Sequence, residues 1–440
     1  MTIFRRDSAK RSFASFASAL ALVAGGAVAA TAIATPAAAK EDKKPAAKAD
    51  YSKEFVAAYK PVEPMLKAAT PDDAALKAAV PTLVASVKTE DDRFAAGNAI
   101  VQIGQKFKDQ AITLQGLEMM LQSGKLEQDK VPNLTFVAGQ LAYQANDFAK
   151  ARDYFQKAAA LGYTKDDPQG LIAETYFQQK DYAGGLKYIE DTTAKLQAAG
   201  QPVPEVMLKR GLAMAYNNKL YDQATAMAYL YAKSYPTPDS WGDAVAIALN
   251  TQDYDESQAY DLLRLAQKVG AMRNANMYKE FIQDGDPRKQ PNSVLAAIDA
   301  GVASGKLSAT DTFIATSRSQ AQERIQADKK DLAAIAKDAQ APGAKLATVM
   351  TVADAYLDYK RFGEAEELYK KALAMPGANV PLVTTRLGIA QAEQGKTADA
   401  QATLGKVTGK WAGIARLWSL YAAQKASPAA AAAPAPATGS

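Results

Sequence analysis

The sequence predicts an all-α chain, a solenoid of stacked antiparallel helix pairs, and three observations predict it. Hydrophobic residues make up 48% of the 440 residues and aromatics only 8%, so much of the apolar content is alanine, the strongest intrinsic helix former. Small residues then return at a fixed interval of thirty-odd positions. No run of β-branched residues alternates with period two, as a half-buried strand would.

The first 39 residues read as a secretory signal. Arg5, Arg6, Lys10 and Arg11 form a basic start, an apolar stretch runs from Phe13 to Ala34, and Ala37, Ala38 and Ala39 precede Lys40, which places cleavage after Ala39. Gly25, Gly26 and many alanines make the stretch only weakly hydrophobic, which favours a cleaved leader over an anchor helix. Ser8 and Ala9 follow Arg5-Arg6 where a twin-arginine signal wants larger apolar residues, so ordinary Sec export is expected, with a periplasmic or secreted product. The Lys- and Ala-rich segment 40–50 is expected to be a flexible linker and the Ala/Pro-rich segment 426–440 a disordered tail. Past the leader no apolar run reaches membrane-spanning length.

The interval is plainest in Ala347–Pro376. Two helical patterns meet there at a turn near Lys360 to Phe362, and Ala365, Leu368, Tyr369 and Ala372 share one face of the second helix. Downstream, Arg386-Leu387-Gly388 leads to Gly395 in a turn and then Ala400 and Leu404, with Ala365 and Ala400 lying 35 residues apart. Upstream, Gly139 in a first helix precedes an Asp147-Phe148 turn and Ala151, Phe155 and Ala158. The following unit has Ala173, Tyr176, Asp181-Tyr182 and Gly185, the last 34 residues beyond Ala151. Leu208–Pro236, Trp241–Leu265 and Asp92–Lys125 keep parts of the pattern. Met277–Gly343 is helical by composition without a clean signature. Thr70-Pro71-Asp72-Asp73 reads as a cap, an N1 proline and an acidic first turn ahead of a helix beginning at Ala74.

These residues resemble the tetratricopeptide repeat, a helix-turn-helix of about 34 residues with W-x2-L-G-x2-Y, A-x3-F and a late Pro. The resemblance covers about two thirds of the expected mature chain and implies a right-handed superhelical solenoid. It divides the chain into a signal peptide at 1–39, a linker at 40–50, degenerate hairpins at 51–130, a TPR-like array at 131–270, an irregular helical region at 271–345, TPR-like repeats at 346–425 and the tail at 426–440.

With no Cys and no His, the chain lacks thiol nucleophiles, imidazole bases, disulfides and the commonest zinc ligands. The formal charge is +5, of which Arg5, Arg6, Lys10 and Arg11 against Asp7 supply +3, leaving +2 for the body. That gives no support for a nucleic-acid partner. Gly395-Lys396-Thr397 imitates the end of a phosphate loop, but Ala390 stands where that motif needs glycine. Asp253, Asp255 and Glu256, and Asp284 with Asp286, fail the twelve-residue calcium spacing. No cofactor or metal is expected, and no catalytic residue is selected.

In the tetratricopeptide family the first helix of each repeat lines a concave groove for a peptide. The resemblance therefore implies Phe136, Gln140 and Tyr143, then Glu174 and Phe177, then Met350, Asp354, Leu357 and Arg386 as groove residues. The aromatic members could equally complete packing against a neighbouring repeat. The family's carboxylate clamp is not expected: only Arg386, or Lys209 or Arg210, matches it, while Gln140 and Glu174 stand where it wants Asn or a small polar group. The expected function is an exported, non-catalytic scaffold for a protein or peptide of a bacterial cell envelope, with self-association possible. The competing reading is a cell-wall or polysaccharide enzyme with a carboxylate site in 277–343.

Overall fold

The computed structural model describes residues 49–68 and 72–426, and among these there is no strand. The expected signal peptide, its cleavage site, most of the linker and nearly all of the tail lie outside the described residues. The chain forms two compact units that divide between Met214 and Ala215. The division falls inside the stretch expected as one array at 131–270.

The first unit contains α1 (Lys53–Tyr59), α2 (Val62–Lys67), α3 (Asp73–Ala85), α4 (Glu90–Lys106), α5 (Gln110–Gln122), α6 (Val131–Gln144), α7 (Phe148–Ala160), α8 (Pro168–Gln178), α9 (Tyr182–Ala198) and most of α10 (Glu205–Asn217). From α4 to α9, consecutive helices pack on one another in chain order. Side-chain caps start seven of these helices. Asp109, Asp147 and Asp181 each accept a first-turn N–H, placing a negative charge where unpaired donors and the helix dipole favour one. The start of α3 differs from expectation: Asp72 is the cap, accepting from Ala75 N, and the helix begins at Asp73. A carboxylate meets first-turn donors better than a threonine hydroxyl, and Thr70 and Pro71 lie outside the described residues.

The recurring small residues have a direct packing cause. A Cβ on Gly139 would lie 2.6 Å from the Phe155 ring, and one on Gly388 would lie 2.4 Å from Leu404 Cγ. In both hairpins the first helix gives up a side chain so that a large residue of the second can lie against its backbone. Phe155, Ala151 and Ala158 are fully buried in one core of the first unit, and a second core gathers around Phe55, Leu76 and Ile100.

The second unit contains α11 (Tyr221–Ser234), α12 (Pro238–Thr251), α13 (Glu256–Lys268), α14 (Ala275–Gly285), α15 (Pro291–Ala303), α16 (Thr312–Gln340), α17 (Leu346–Asp358), α18 (Phe362–Leu373), α19 (Val380–Glu393), α20 (Thr397–Leu404), a 3-10 turn (Gly409–Trp411) and α21 (Ala412–Ala426). From α13 onward each helix packs on the next, including those of the region without a clean signature, and α21 then returns to α13. Trp418 Nε1 donates to the Asp261 carbonyl at 3.0 Å. Gln424 both accepts from Trp241 Nε1 and donates to the Ala232 carbonyl. The consequence is that α13 has no solvent face: every residue from Gln258 to Ala266 is buried.

Candidate partner-binding faces

A polar row crosses three consecutive first helices of the first unit. Tyr143 on α6 is partly buried with its ring edge-on to Phe148 at 5.3 Å. Its hydroxyl faces Gln178 and Glu174 of α8, and burial followed by the Glu174 charge pushes its pKa up to about 12. Gln178 donates to Glu174 at 2.6 Å. Arg210 of α10 lies 3.7 Å from Glu174 and 3.3 Å from Asp167. Burial raises the Asp167 carboxyl, against the pull of Arg210 and the Gly170 N–H.

Local sequence and close approach set up this corner. Asp166 and Asp167 both hold positive φ, 58° and 52°, a region that costs a non-glycine residue about 1 kcal/mol and that aspartate tolerates better than most. In this conformation Asp167 caps α8 through Gly170 N. A Cβ on Gly170 would lie 1.9 Å from Asp167 Oδ2 and 2.3 Å from an Arg210 guanidinium nitrogen, so a side chain there would require both groups to shift.

Of the residues expected here, Gln140, Tyr143 and Glu174 are on the face and partly exposed. Phe136 and Phe177 are not available to anchor a ligand. Phe136 is 1% exposed, stacked on Tyr163 at 4.5 Å and tilted on Phe155 at 5.3 Å, while Phe177 is buried against Gly185. Both complete the packing between helices. Asp167 and Arg210 belong to the row but were not singled out together, because their 43-residue separation leaves no local pattern.

The expected groove of the C-terminal repeats is already filled, and its occupant is α13. Arg386 of α19 donates through Nε to Asp261 at 2.9 Å and through Nη1 to Asp354 of α17 at 2.8 Å. Asp261 also accepts from Arg264 at 3.0 Å, and Tyr369 donates to Asp354 at 2.6 Å. Burial opposes the charge on Arg386, but Asp261 and Asp354 outweigh it and hold the guanidinium firmly protonated. Two arginines and two aspartates thus neutralise one another inside the unit, as buried charges must. Leu357 is 5% exposed. Arg386, Asp354 and Leu357 therefore hold the chain's own helix, and only Met350 of that set keeps partial exposure without a polar bond.

Beyond the last turn of α13 the filled channel opens into a cleft of about 490 Å³. It is bounded by the ends of α13, α17 and α19, the start of α15, and α21. In 277–343, the region left open for carboxylate chemistry, burial pushes Asp284 up to about 6, with Glu280 and Glu256 adding to the shift.

Fold and faces define the class: an all-α array of consecutive helical hairpins whose first helices present side chains along one side. No protein-family model and no curated protein matches the chain. Among solved structures it is similar to the APC/C hetero-tetramer Cut9–Hcn1, with 15% identity and a TM-score of 0.24 over 77% of this chain and 68% of that one. It is also similar to the pentatricopeptide repeat protein PPR10 from maize, with 13% identity and a TM-score of 0.27 over 86% of this chain. A third similarity is to Naa15/Naa10 bound to HypK-THB, with 12% identity and a TM-score of 0.20 over 80% of this chain. The chain spans 60% and 66% of the length of the latter two. At TM-scores of this size the likeness carries no argument about function.

Proposed function

We propose that the chain is an exported, non-catalytic scaffold of a bacterial cell envelope that holds a protein or peptide partner against the face of α6, α8 and α10. The observation that supports this reading most is the row Tyr143, Gln178, Glu174, Arg210 and Asp167. Polar and aromatic groups converge there on a repeat surface, whereas the matching surface of the C-terminal hairpins is spent on α13. Aromatic and arginine side chains at partly desolvated positions are the groups from which most interface energy comes. Export rests on the composition of residues 1–39, and self-association is a further outcome of the same face meeting a second copy.

The test places a photoreactive residue at Gln140, on the face, and separately at Lys187 on the exposed side of α9, in the full chain expressed in a double-membraned bacterium. A defined crosslinked product from Gln140, absent from Lys187 and weakened by Arg210→Ala, is the expected result. Equal labelling from both positions, or none from Gln140, removes the face as a binding surface. Mass spectrometry of the exported product should find Lys40 as its first residue. An intact N-terminus in the membrane fraction would refute the cleaved leader.

A further inference from the structure

We infer that the cleft at the end of α13 is a binding site for an organic carboxylate attached to an apolar or aromatic body. At about 490 Å³ it falls in the size range of small-ligand pockets. Leu357, Ile389, Phe362 and Trp418 supply apolar wall, and the Trp418 indole N–H is already given to Asp261. That wall therefore offers an organic body contact area without an unmet donor.

The polar wall contains both signs of charge, and the sign of the ligand follows from which groups are already committed. Asp358 is 3% exposed and caps α15 from a distance, accepting from Asn292 N at 2.9 Å, Ser293 N at 2.9 Å and Asn292 Nδ2 at 3.2 Å. Glu393, its side chain 7% exposed, accepts from Lys268 at 2.8 Å and from Tyr421 at 3.1 Å. Both carboxylates are thus turned toward donors of the protein itself. The donors are less committed. Lys360 has no acidic partner among the described residues, Lys268 Nζ makes one bond for its three protons, and the Gln267 carboxamide makes none. Lys360 is exposed, on a backbone held at positive φ, 59°, in the tight turn between α17 and α18.

One effect opposes an anion. The C-terminal ends of α13, α17 and α19 border the cleft, each carrying roughly half a negative charge that fades within its last turn. The start of α15 contributes the opposite sign, Lys268 and Lys360 each stand at one of those C-terminal ends, and their charges offset those of Glu393 and Asp358, so the lining is near neutral and the choice of ligand falls to its unmet hydrogen-bonding groups. Both carboxylates already accept from the protein, whereas Lys360, the remaining Lys268 protons and the Gln267 amide are left to be met, and an acceptor-bearing acid meets them.

The experiment uses the full chain and three probes that share one body: 4-phenylbutyrate, 4-phenylbutyramide and 4-phenylbutylamine, titrated by calorimetry. The expected order is carboxylate over amide by about tenfold, as a charged hydrogen bond confers, with no binding of the amine. Lys360→Asn, which suits the positive φ, should remove most of the advantage of the carboxylate over the amide while melting like the parent. Equal binding of all three probes, no binding of the carboxylate at millimolar concentration, or an unchanged preference in Lys360→Asn would overturn the inference. A second arm compares acetyl-Phe-Glu-amide with acetyl-Phe-Gln-amide. Preference for the glutamate peptide assigns the acid to a polypeptide side chain, and preference confined to free 4-phenylbutyrate assigns it to a small molecule. Arg210→Ala should change none of these values, so the cleft and the α6–α8–α10 face succeed or fail separately.

Discussion

Replacing Arg386 by alanine tests whether α13 is held in the C-terminal hairpins by charge as well as by packing. Arg386 bridges Asp261 and Asp354 at 2.9 and 2.8 Å, and Asp261 is fully buried. Breaking a buried pair by removing one member typically costs about 3–5 kcal/mol, because the other charge is left without compensation. Here Asp261 keeps Arg264, while Asp354, its side chain 22% exposed, keeps Tyr369 and some water. The expected cost is therefore at the low end, about 3 kcal/mol. For a unit of this size that corresponds to a fall in melting temperature of roughly 6–12 °C. Calorimetry gives the shift, and amide exchange should show lost protection concentrated in residues 256–268. A variant that melts within about 2 °C of the parent, with the α13 amides still protected, would refute the account of a groove filled and neutralised by the chain's own helix.

Three further perturbations probe other elements. Gly170→Ala drives a methyl into the Asp167–Arg210 contact, whose side-chain ends can swing aside, so it should cost about 1 kcal/mol through loss of the pair, visible in urea unfolding; an unchanged midpoint would show that the pair contributes nothing there. Ala365 is fully buried at the α17–α18 crossing, and Ala365→Leu should cost about 1–3 kcal/mol, whereas unchanged melting would mean that the repeat is misaligned. Asp284 has a folded pKa of about 6 against an ordinary value near 4. The folded chain therefore binds more protons than the unfolded one between those values, and this group adds stability as pH falls from 7 toward 4. Since Asp284 is partly exposed, screening leaves about 1 kcal/mol of the effect. Asp284→Asn should stabilise the chain at pH 7 by that amount and flatten the dependence, and an unaltered pH profile would exclude Asp284 as its source.

The helices, their turns and the pairing of small with large residues were legible because each depends on neighbours within one hairpin. Asp147 and Asp181 mark helix starts three positions ahead of the N–H they accept. Gly139 with Phe155 and Gly388 with Leu404 report packing between adjacent helices. Gly395 holds φ 77° in the turn where the sequence placed it, between α19 and α20. Two members of the first unit's polar row could be read the same way, since Tyr143 and Glu174 occupy set positions of a first helix. The direction of Phe136 and Phe177 could not, because an aromatic on a first helix serves a neighbour's core or a groove according to how the next hairpin nests.

Sequence by itself determined what each segment becomes: a helix of given length, capped and turned at given residues, with one small-residue face that must be covered. Only the tertiary structure decided what covers it. Asp261 and Arg386 are 125 residues apart, Asp358 and Asn292 are 66 apart, and Trp418 reaches back 157 residues to the Asp261 carbonyl. No periodicity encodes such distances. They arise where α19 and α21, far along the chain, meet α13 and turn an expected partner groove into an interior.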